Sequence, residues 1–279
     1  MPKYIKFNYQ TKALGLSEPV IRLYPIVCWH IGAAQCDMKF IKEHIKRIDN
    51  DPNARVVYMG DGGECVTTGS KGDIFKQLLN PQQQQDVLVE LLDPLREKLL
   101  FGIRGNHGNR VYKQTGLEFD ATLCHRLGMP YLDVSTFMNL VINRSTYDLF
   151  FHHGSDSGTT MRAKIAKAEH FNLFINADAL FTAHSHACIE VHPSALQSCN
   201  NDVCGVETKL RHQYICGCAY DSRTGYAEEK AYSPILPAHL VVAFDGRIVE
   251  GRAKYSQKCE IYRSDGAHEL THDYIFREG

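Results

Sequence analysis

The chain has 279 residues, 44% hydrophobic and 23% charged, the balance of an ordinary soluble globular protein with enough length for one large domain or two small ones. Its formal net charge of −1 leaves no general basic face, which argues against tight, non-specific binding of long duplex DNA. Met1-Pro2-Lys3-Tyr4-Ile5-Lys6 lacks the apolar segment of a secretory signal and no run has membrane-spanning length, so the expected compartment is the cytosol and the ten cysteines are expected to be thiols or metal ligands.

Residues 1–20 read as an N-terminal strand or arm. Residues 22–28 form the first core strand, with Pro25 marking an edge or the strand's entry, and run into Trp29-His30-Ile31-Gly32. Asp37 is placed to cap a helix whose apolar stripe is Phe40, Ile41, Ile45 and Ile48, and Asn50-Asp51-Pro52-Asn53 closes it as a turn. Residues 56–59 are a strand that delivers Gly60-Asp61-Gly62-Gly63-Glu64, followed by a polar loop over 66–73. Asn80-Pro81 opens a second helix; Leu88, Leu91, Leu92, Leu95 and Leu99 mark its buried face, and Pro94 is expected to kink it.

Residues 99–103 are a buried strand that ends in Gly105-Asn106-His107-Gly108-Asn109-Arg110, where Gly105 allows a tight turn. A helix over 117–127 stops at Gly128. Residues 137–143 and 147–151 form a hairpin around Arg144-Ser145, and its second arm leads to His152-His153-Gly154-Ser155. A helix spans roughly 159–174, and a strand over 179–183 ends in His184-Ser185-His186. Residues 187–211 read as a loop-like insertion. Residues 214–219 and 240–244 are further strands, and Asp245-Gly246 is a tight turn into Arg247-Ile248-Val249. Strands alternating with helices early, then mostly strands, predict one layered α/β domain over 1–279 with a strand- and loop-rich part from about 187.

Five successive strand ends carry Cys28-Trp29-His30, Asp61, Asn106-His107, His153 and His184-Ser185-His186. In layered α/β folds sites form beyond the carboxyl ends of strands, so these residues are expected to converge at one sheet edge. Taken singly, each has a bland reading as a turn acid or a half-exposed strand histidine; His152 faces away from His153 because strand neighbours alternate. Together, one Asp, one Asn and several His suit two adjacent divalent transition ions, with imidazole favouring Mn, Fe, Zn or Ni over Mg or Ca. Two such ions about 3.5–4 Å apart bind a hydroxide and a phosphoryl oxygen and stabilise an in-line displacement.

Gly-Asp, Gly-Asn-His and His-x-His in this order, each after an apolar run, resemble the calcineurin-like metallophosphoesterase superfamily over about Val27 to His186. The resemblance implies a β-sandwich flanked by helices in four layers, α/β/β/α, and a dimetal-dependent phosphoesterase whose ions are manganese first, with zinc, iron or nickel as alternatives. It implies that Asp61 bridges both ions, that His30 and His186 with Cys28 hold the first, and that Asn106, His153 and His184 hold the second. His107 would stay off the metals, contact the phosphate and protonate the leaving oxygen; Glu64 would orient His107, and Arg110 is a candidate phosphate clamp. The departure is Cys28, since the family motif is Asp-x-His and this chain has Cys-Trp-His. A thiolate there shifts preference toward Zn²⁺ or Fe²⁺ or leaves the first site weak, and Asp37 is an alternative carboxylate.

Gly-Asn-His-Gly-Asn-Arg and the later Tyr-Ala-Glu-Glu-Lys also resemble phage and prophage members. The substrate expected from this is a phosphodiester, meaning single-stranded nucleic acid (a nuclease) or a nucleotide, ahead of a phosphomonoester as for a small-molecule or protein phosphatase. The reading outside enzymes is a catalytically silent metal-binding scaffold. Tyr220, Tyr226 and Tyr232 are available for base stacking. Cys199-x4-Cys204 with Cys216-x-Cys218 reads as unconnected thiols, a small zinc site or two disulfides. No membrane partner is expected, and the oligomeric state is open, a homodimer included.

Overall fold

The computed structural model describes the chain except residues 1–2, 17, 71, 156–157, 200–204, 225, 230, 232, 250–251, 254–255, 271–273 and 276–279. In chain order its strands include β1 (Lys3–Tyr9), β2 (Val20–Ile26), β3 (Ala54–Tyr58), β4 (Leu99–Gly102), β5 (Ser135–Ile142), β6 (Ser145–His152), β7 (Ala179–Thr182), β8 (Cys188–Val191), β9 (Ser194–Cys199), β10 (Gly205–Leu210), β11 (His212–Cys218), β12 (Ala238–Asp245), β13 (Ile248–Val249), β14 (Arg252–Ala253) and β15 (Ser256–Arg263). The helices are α1 (Met38–Asn50), α2 (Pro81–Leu92), α3 (Gly108–Thr115), α4 (Phe119–Leu127), α5 (Met161–Glu169) and the single turn α6 (Tyr226–Glu229).

The main sheet runs β1-β5-β6-β7-β11-β12-β2-β3-β4 and curls on itself at β11. Residues His212 to Ile215 of β11 pair with β7, whereas Gly217 and Cys218 pair with β12. The bend falls at Gly217, whose φ is +84° and where a Cβ would overlap the carbonyl of Ala238, so glycine is required there. The two halves of the sheet face each other across one core. Leu23, Val57 and Phe101 from one half pack with Leu140, Phe151 and Phe181 from the other, and the Phe101 and Phe151 rings meet edge to face at 5.3 Å.

Because strand neighbours alternate, Val56 and Tyr58 point to the opposite face from Val57. There they pack under Phe40, Ile41 and Ile48 of α1, Leu88 and Leu92 of α2, and Leu123 and Leu127 of α4. On the outer face of the other half, Phe150 and Leu180 pack with Phe171, and Ile215 packs with Ala168 of α5. The result is the expected mixed α/β architecture, a β-sandwich with helices outside each half. Asp37 caps α1 by accepting from the Phe40 amide, and Asn80 forms a reciprocal capping box with Gln83 at the start of α2. Pro25 pairs with Val57 on β3 but lies beyond the β2–β12 ladder, which ends at Leu23, so β2 is locally an edge where it has no amide to donate.

Several expectations are corrected. Pro94 does not kink one long helix: α2 ends at Leu92 and a 3₁₀ segment, Asp93–Lys98, replaces its last turns. The helix expected over 159–174 likewise gives way to a 3₁₀ turn, His170–Leu173, after Glu169. Helix α3 follows the Gly-Asn-His turn without a clear apolar stripe to announce it, since Gly108–Thr115 buries only Gly108 and Val111. Within 187–211 the described residues are mostly strand: β8 pairs with β11, and β9 with β10. The Asp245-Gly246 turn does not fold β13 back on β12, which pairs with β15 instead; Asp245 turns its carboxylate to the Arg247 amide, and Asn143 donates to the Gly246 carbonyl. Among the described residues no helix is long and apolar enough to cross a membrane.

Beneath α1 lies a stack of buried rings. His44 and His239 are fully buried with ring centroids 4.3 Å apart, and Phe40 lies parallel on His239 at 4.9 Å. Burial, reinforced by Arg47, depresses His239 to about 3; burial, His239 and Arg47 hold His44 well below its ordinary value. Both folded values lie below that of the unfolded chain, so the unfolded state binds more protons once the pH drops under about 6.5. The stability His239 contributes is complete above that pH and is lost as the pH falls toward about 3, at about 1.4 kcal/mol per unit, and His44 acts in the same direction. Urea melts between pH 7 and pH 5 should show a shallower pH dependence for His44→Leu than for the natural chain. Equal slopes would show that His44 is not held neutral.

Candidate metal centre

Two close approaches between loops build the site. After β3, Gly60 takes φ +87°, and a Cβ there would overlap the backbone of Gly105; a Cβ on Gly105 would overlap the Asp61 carboxylate. Glycine at both positions therefore lets the β3 and β4 loops cross, and the His107 amide donates to Asp61 Oδ1 at 2.8 Å. The β2 loop lies alongside: Cys28, His30 and Ile31 donate their amides to the carbonyls of Gly60, Asp61 and Gly62. The Ala183 amide donates to the His153 carbonyl, tying the β6 and β7 ends together.

Cys28, His30, Asp61, His184 and His186 all have φ between +50° and +63°, a region that non-glycine residues rarely enter. Such strain at five chemistry-bearing residues, each just past a strand, is typical of a site whose side chains are aimed by their surroundings. Asp61 and His30 are 1% and 2% exposed, so the donors converge in a nearly dry hollow.

The donors form three overlapping groups, one of them His30, Glu64 and His107. Cys28, His30 and His186 bring ligand atoms within 4.8 Å of one another, and so do Cys28, Asp61 and His153. His30 Nε2 and His186 Nε2 are 2.9 Å apart. His30 Nδ1 lies 2.9 Å from Glu64 Oε2, so that nitrogen carries the proton and Nε2 turns its lone pair inward. In the second group His153 Nδ1 donates to the Met59 carbonyl at 2.6 Å, while Nε2 faces Asp61 Oδ2 and Asn106 Oδ1, each at 3.0 Å. A nitrogen lone pair converging on two oxygen acceptors is a donor set that a cation fits. His184 stands next to it, its ring 5.5 Å from that of His153. All seven residues expected as ligands are thus in one place.

No protein-family model matches the sequence, and no curated protein is similar to it by sequence. Similar solved structures include Vps29 of Chaetomium thermophilum, at TM-score 0.39 and 14% identity over 91% of this chain and 97% of that one. A single mutant of Vps29 from Entamoeba histolytica matches at TM-score 0.43 and 11% identity, covering 91% of this chain and 100% of that one. The NAD nucleotidase of Haemophilus influenzae matches at TM-score 0.37 and 9% identity, covering 91% of this chain and 49% of that one. At this level of likeness the functional reading rests on the geometry of the chain itself.

The charges fit a cation. Burial would raise the Asp61 pKa, but His153 and His107 hold it well below the usual carboxylate range. Burial would lower His153, and Asp61 with the Met59 carbonyl raises it instead, so a positive charge beside Asp61 is favoured. Burial, His30 and His184 push His186 well down, which leaves it neutral, the state a ligand needs. Glu64 is held low mainly by its bond to His30 against the cost of burial.

The remaining expected residues differ in detail. The Glu64 carboxylate bonds to His30 and stands 3.5 Å from His107 Nδ1; it is the Glu64 backbone carbonyl that takes the His107 proton, at 2.7 Å. Arg110 Nη2 donates to His107 Nε2 at 2.8 Å. Asp37 is committed to the α1 cap. His152 turns away, accepts from the Gly154 amide and packs on Phe171. Tyr220 sits at the rim, its ring 5.4 Å from His30 and 5.7 Å from His186. Cys216 and Cys218 are buried thiols; Cys204, Tyr232 and the side chains of Cys199 and Tyr226 lie outside the described residues.

One residue of the site is not marked by any motif. Asp120 on α4 is buried, accepts from Tyr58 Oη at 2.6 Å and from the Gly105 amide at 3.1 Å, and so braces the Gly-Asn-His turn. Burial and the nearby Asp61 charge raise its carboxyl to about 7, against the Tyr58 hydrogen bond. Its one signal in the sequence is a carboxylate on the same helix face as Leu123 and Leu127.

Cys28 is fully buried, and burial together with Asp61 and Cys218 raises its thiol pKa well above the ordinary value. Without a cation it stays a thiol; as a ligand it must lose that proton. Cys28→Asp should therefore keep two metals and shift preference from zinc toward manganese. Cys28→Ala should weaken one metal selectively. Metal stoichiometry and melting temperature of both variants decide: a Cys28→Ala protein that keeps two tight metals, beside a destabilised Cys28→Asp, marks Cys28 as a core thiol.

Proposed function

We propose that this chain is a phosphoesterase that uses two divalent transition ions. The observation that carries the reading is the pair of adjoining donor groups that share Cys28, with the Asp61 carboxylate 4.0 Å or less from both His153 and His107. Cys28, His30 and His186 would hold one ion, Asn106, His153 and His184 the other, and Asp61 would bridge them. When bound, the ions polarise the phosphoryl group and supply the nucleophile.

The chain's own residues do the rest. Glu64 fixes His30 through Nδ1, and Met59 fixes His153 the same way, so each Nε2 faces inward. Asp120 and Tyr58 hold the turn that presents Asn106 and His107. Arg110, resting on His107 Nε2, is positioned to move onto a phosphate oxygen, which frees that nitrogen to carry a proton to the leaving oxygen.

A phosphodiester of single-stranded nucleic acid or a nucleotide is the favoured substrate, because Tyr220 offers a flat ring beside His30 and His186 on which a base can stack. Manganese is the first ion to test. The thiols of Cys28, Cys36, Cys65, Cys124, Cys216 and Cys218 fit a reducing, cytosolic setting. The test is hydrolysis of an aryl phosphodiester and the matching aryl phosphomonoester with added Mn²⁺, Zn²⁺, Fe²⁺ or Ni²⁺, followed by single-stranded DNA. Faster diester turnover supports the proposal, and faster monoester turnover moves the assignment to a phosphatase. Two bound ions with turnover of neither ester would leave a silent metal-bound scaffold.

A further inference from the structure

A second group of ligand-type side chains lies far from this centre. Strand β8 runs antiparallel to β11, with Ile189 opposite Ile215, Glu190 opposite Tyr214 and Val191 opposite Gln213. One step further in the same register sets His192 opposite His212, and the Arg211 amide closes the turn by donating to the Pro193 carbonyl. Residues two apart on a strand share a face, so Glu190, His192, His212 and Tyr214 form one four-residue patch. Ligand atoms of Glu190, His192 and His212 all lie within 4.8 Å of one another.

The spacing is that of a coordination polyhedron. His192 Nε2 lies 3.4 Å and His212 Nδ1 3.6 Å from the same Glu190 oxygen. The edge of a tetrahedron around an ion with ligands at about 2.0–2.1 Å is about 3.3–3.4 Å; the His192 distance falls on it and the His212 distance is slightly longer. The imidazole rings stand nearly perpendicular with centroids 5.0 Å apart, so their lone pairs meet at an angle rather than stacking. The Glu190 and His212 side chains are only 4% and 8% exposed, and His192 is 25% exposed, which gives a dry floor with one open side. Tyr214, opposite Glu190 on the same face, donates its hydroxyl to Gln257 Oε1 at 3.3 Å. Two histidines and one carboxylate form a zinc-type donor set.

We propose that Glu190, His192 and His212 form a separate mononuclear site for a divalent transition ion, zinc by its donors, which clamps β8 to the start of β11. The site is independent of the two-metal centre. His212 sits opposite Ala179, the first residue of β7, whereas His184 and His186 follow the other end of that strand. Five residues of strand separate Ala179 from His184, on the order of 15 Å. The clamp sits where the chain leaves the sheet for the β9–β10 ribbon and returns to it. The site uses the strand before the ribbon and the strand after it, not the cysteines around the ribbon.

The test is zinc bound per chain after dialysis of the full chain against Zn²⁺, compared among the natural protein, Glu190→Gln and the double variant His192→Ala/His212→Gln. Each variant should bind one zinc fewer, lose the zinc-dependent part of its rise in melting temperature, and keep the phosphoesterase rate. Glu190→Gln keeps the shape of the side chain, so a folded Glu190→Gln protein with one zinc fewer supports the site even if the double variant unfolds. Unchanged zinc stoichiometry in Glu190→Gln would overturn it. A chain that binds a single zinc, lost on Glu190→Gln, and hydrolyses no ester would keep this site and remove the two-metal reading.

Discussion

Asp61→Ala is expected to lose most of its bound metal and nearly all turnover. Asp61 belongs to the donor group that shares Cys28 with the other, with Oδ1 accepting from the His107 amide and Oδ2 3.0 Å from His153. Without its charge two cations would face each other with only neutral imidazoles, an amide and the Cys28 thiolate around them. Loss of an outer-shell partner alone typically costs about 10–100-fold in metal affinity, so loss of the bridging carboxylate should cost more. Alanine also removes the acceptor of the His107 amide, and its Cβ must sit at φ +54°. Asp61→Asn separates these effects. Asparagine tolerates the left-handed backbone and can still accept from His107, but it has no charge. Asp61→Asn should thus fold with a melting temperature close to that of the metal-free natural protein, and should still fail to hold two ions. Metal analysis after gel filtration and the aryl diester rate measure both. Two ions and full activity in either variant would remove Asp61 from the bridge.

The strand ends are legible in the sequence because each side chain follows a run of apolar residues buried on both faces, and such runs read clearly. That Asp61, Asn106, His153 and His184 converge follows from parallel strands delivering their carboxyl ends to one edge. Other features are hidden for physical reasons. The left-handed backbone at Cys28, His30, Asp61, His184 and His186 has no sequence marker, since none of them is the glycine that would announce it. The Glu64 carboxylate is expected at His107 and is found at His30, because three residues of loop place the side chain by contacts distant in sequence. Strands β9 and β10 read as loop because Pro193, Cys199, Asn200, Asn201 and Gly205 punctuate them, and the ribbon pairs only with itself. Helix α3 is masked in the sequence because its first residue, Gly108, is a helix breaker. Glycine is needed there because a Cβ would overlap the buried Asp120 carboxylate.

His107→Asn should retain both metals and lose about 10²–10⁴-fold in turnover, the usual contribution of a positioned general acid. His107 is not a donor in either group that gathers around Cys28, although it shares a third group with His30 and Glu64 and stands 4.0 Å from Asp61 Oδ2. Burial lowers its pKa to about 4, against the pull of Asp61 and Glu64, so near pH 7 the ring is neutral. Its Nδ1 proton is held by the Glu64 carbonyl, and its Nε2 lone pair is covered by Arg110. A phosphate that drew Arg110 off the ring would free Nε2 to take up a proton from solvent, a step its negative charge favours. On the proposed function, the acid would then be armed by substrate. The size of the loss should depend on the leaving group: an alkoxide needs the proton and should show the full effect, whereas p-nitrophenolate leaves without help and should show little. Asparagine keeps the polar volume and hydrogen-bonds to the Glu64 carbonyl, so the fold and the metal content provide the control. An equal loss for alkyl and aryl esters, or a loss of metal that matches the loss of rate, would place His107 among the ligands instead.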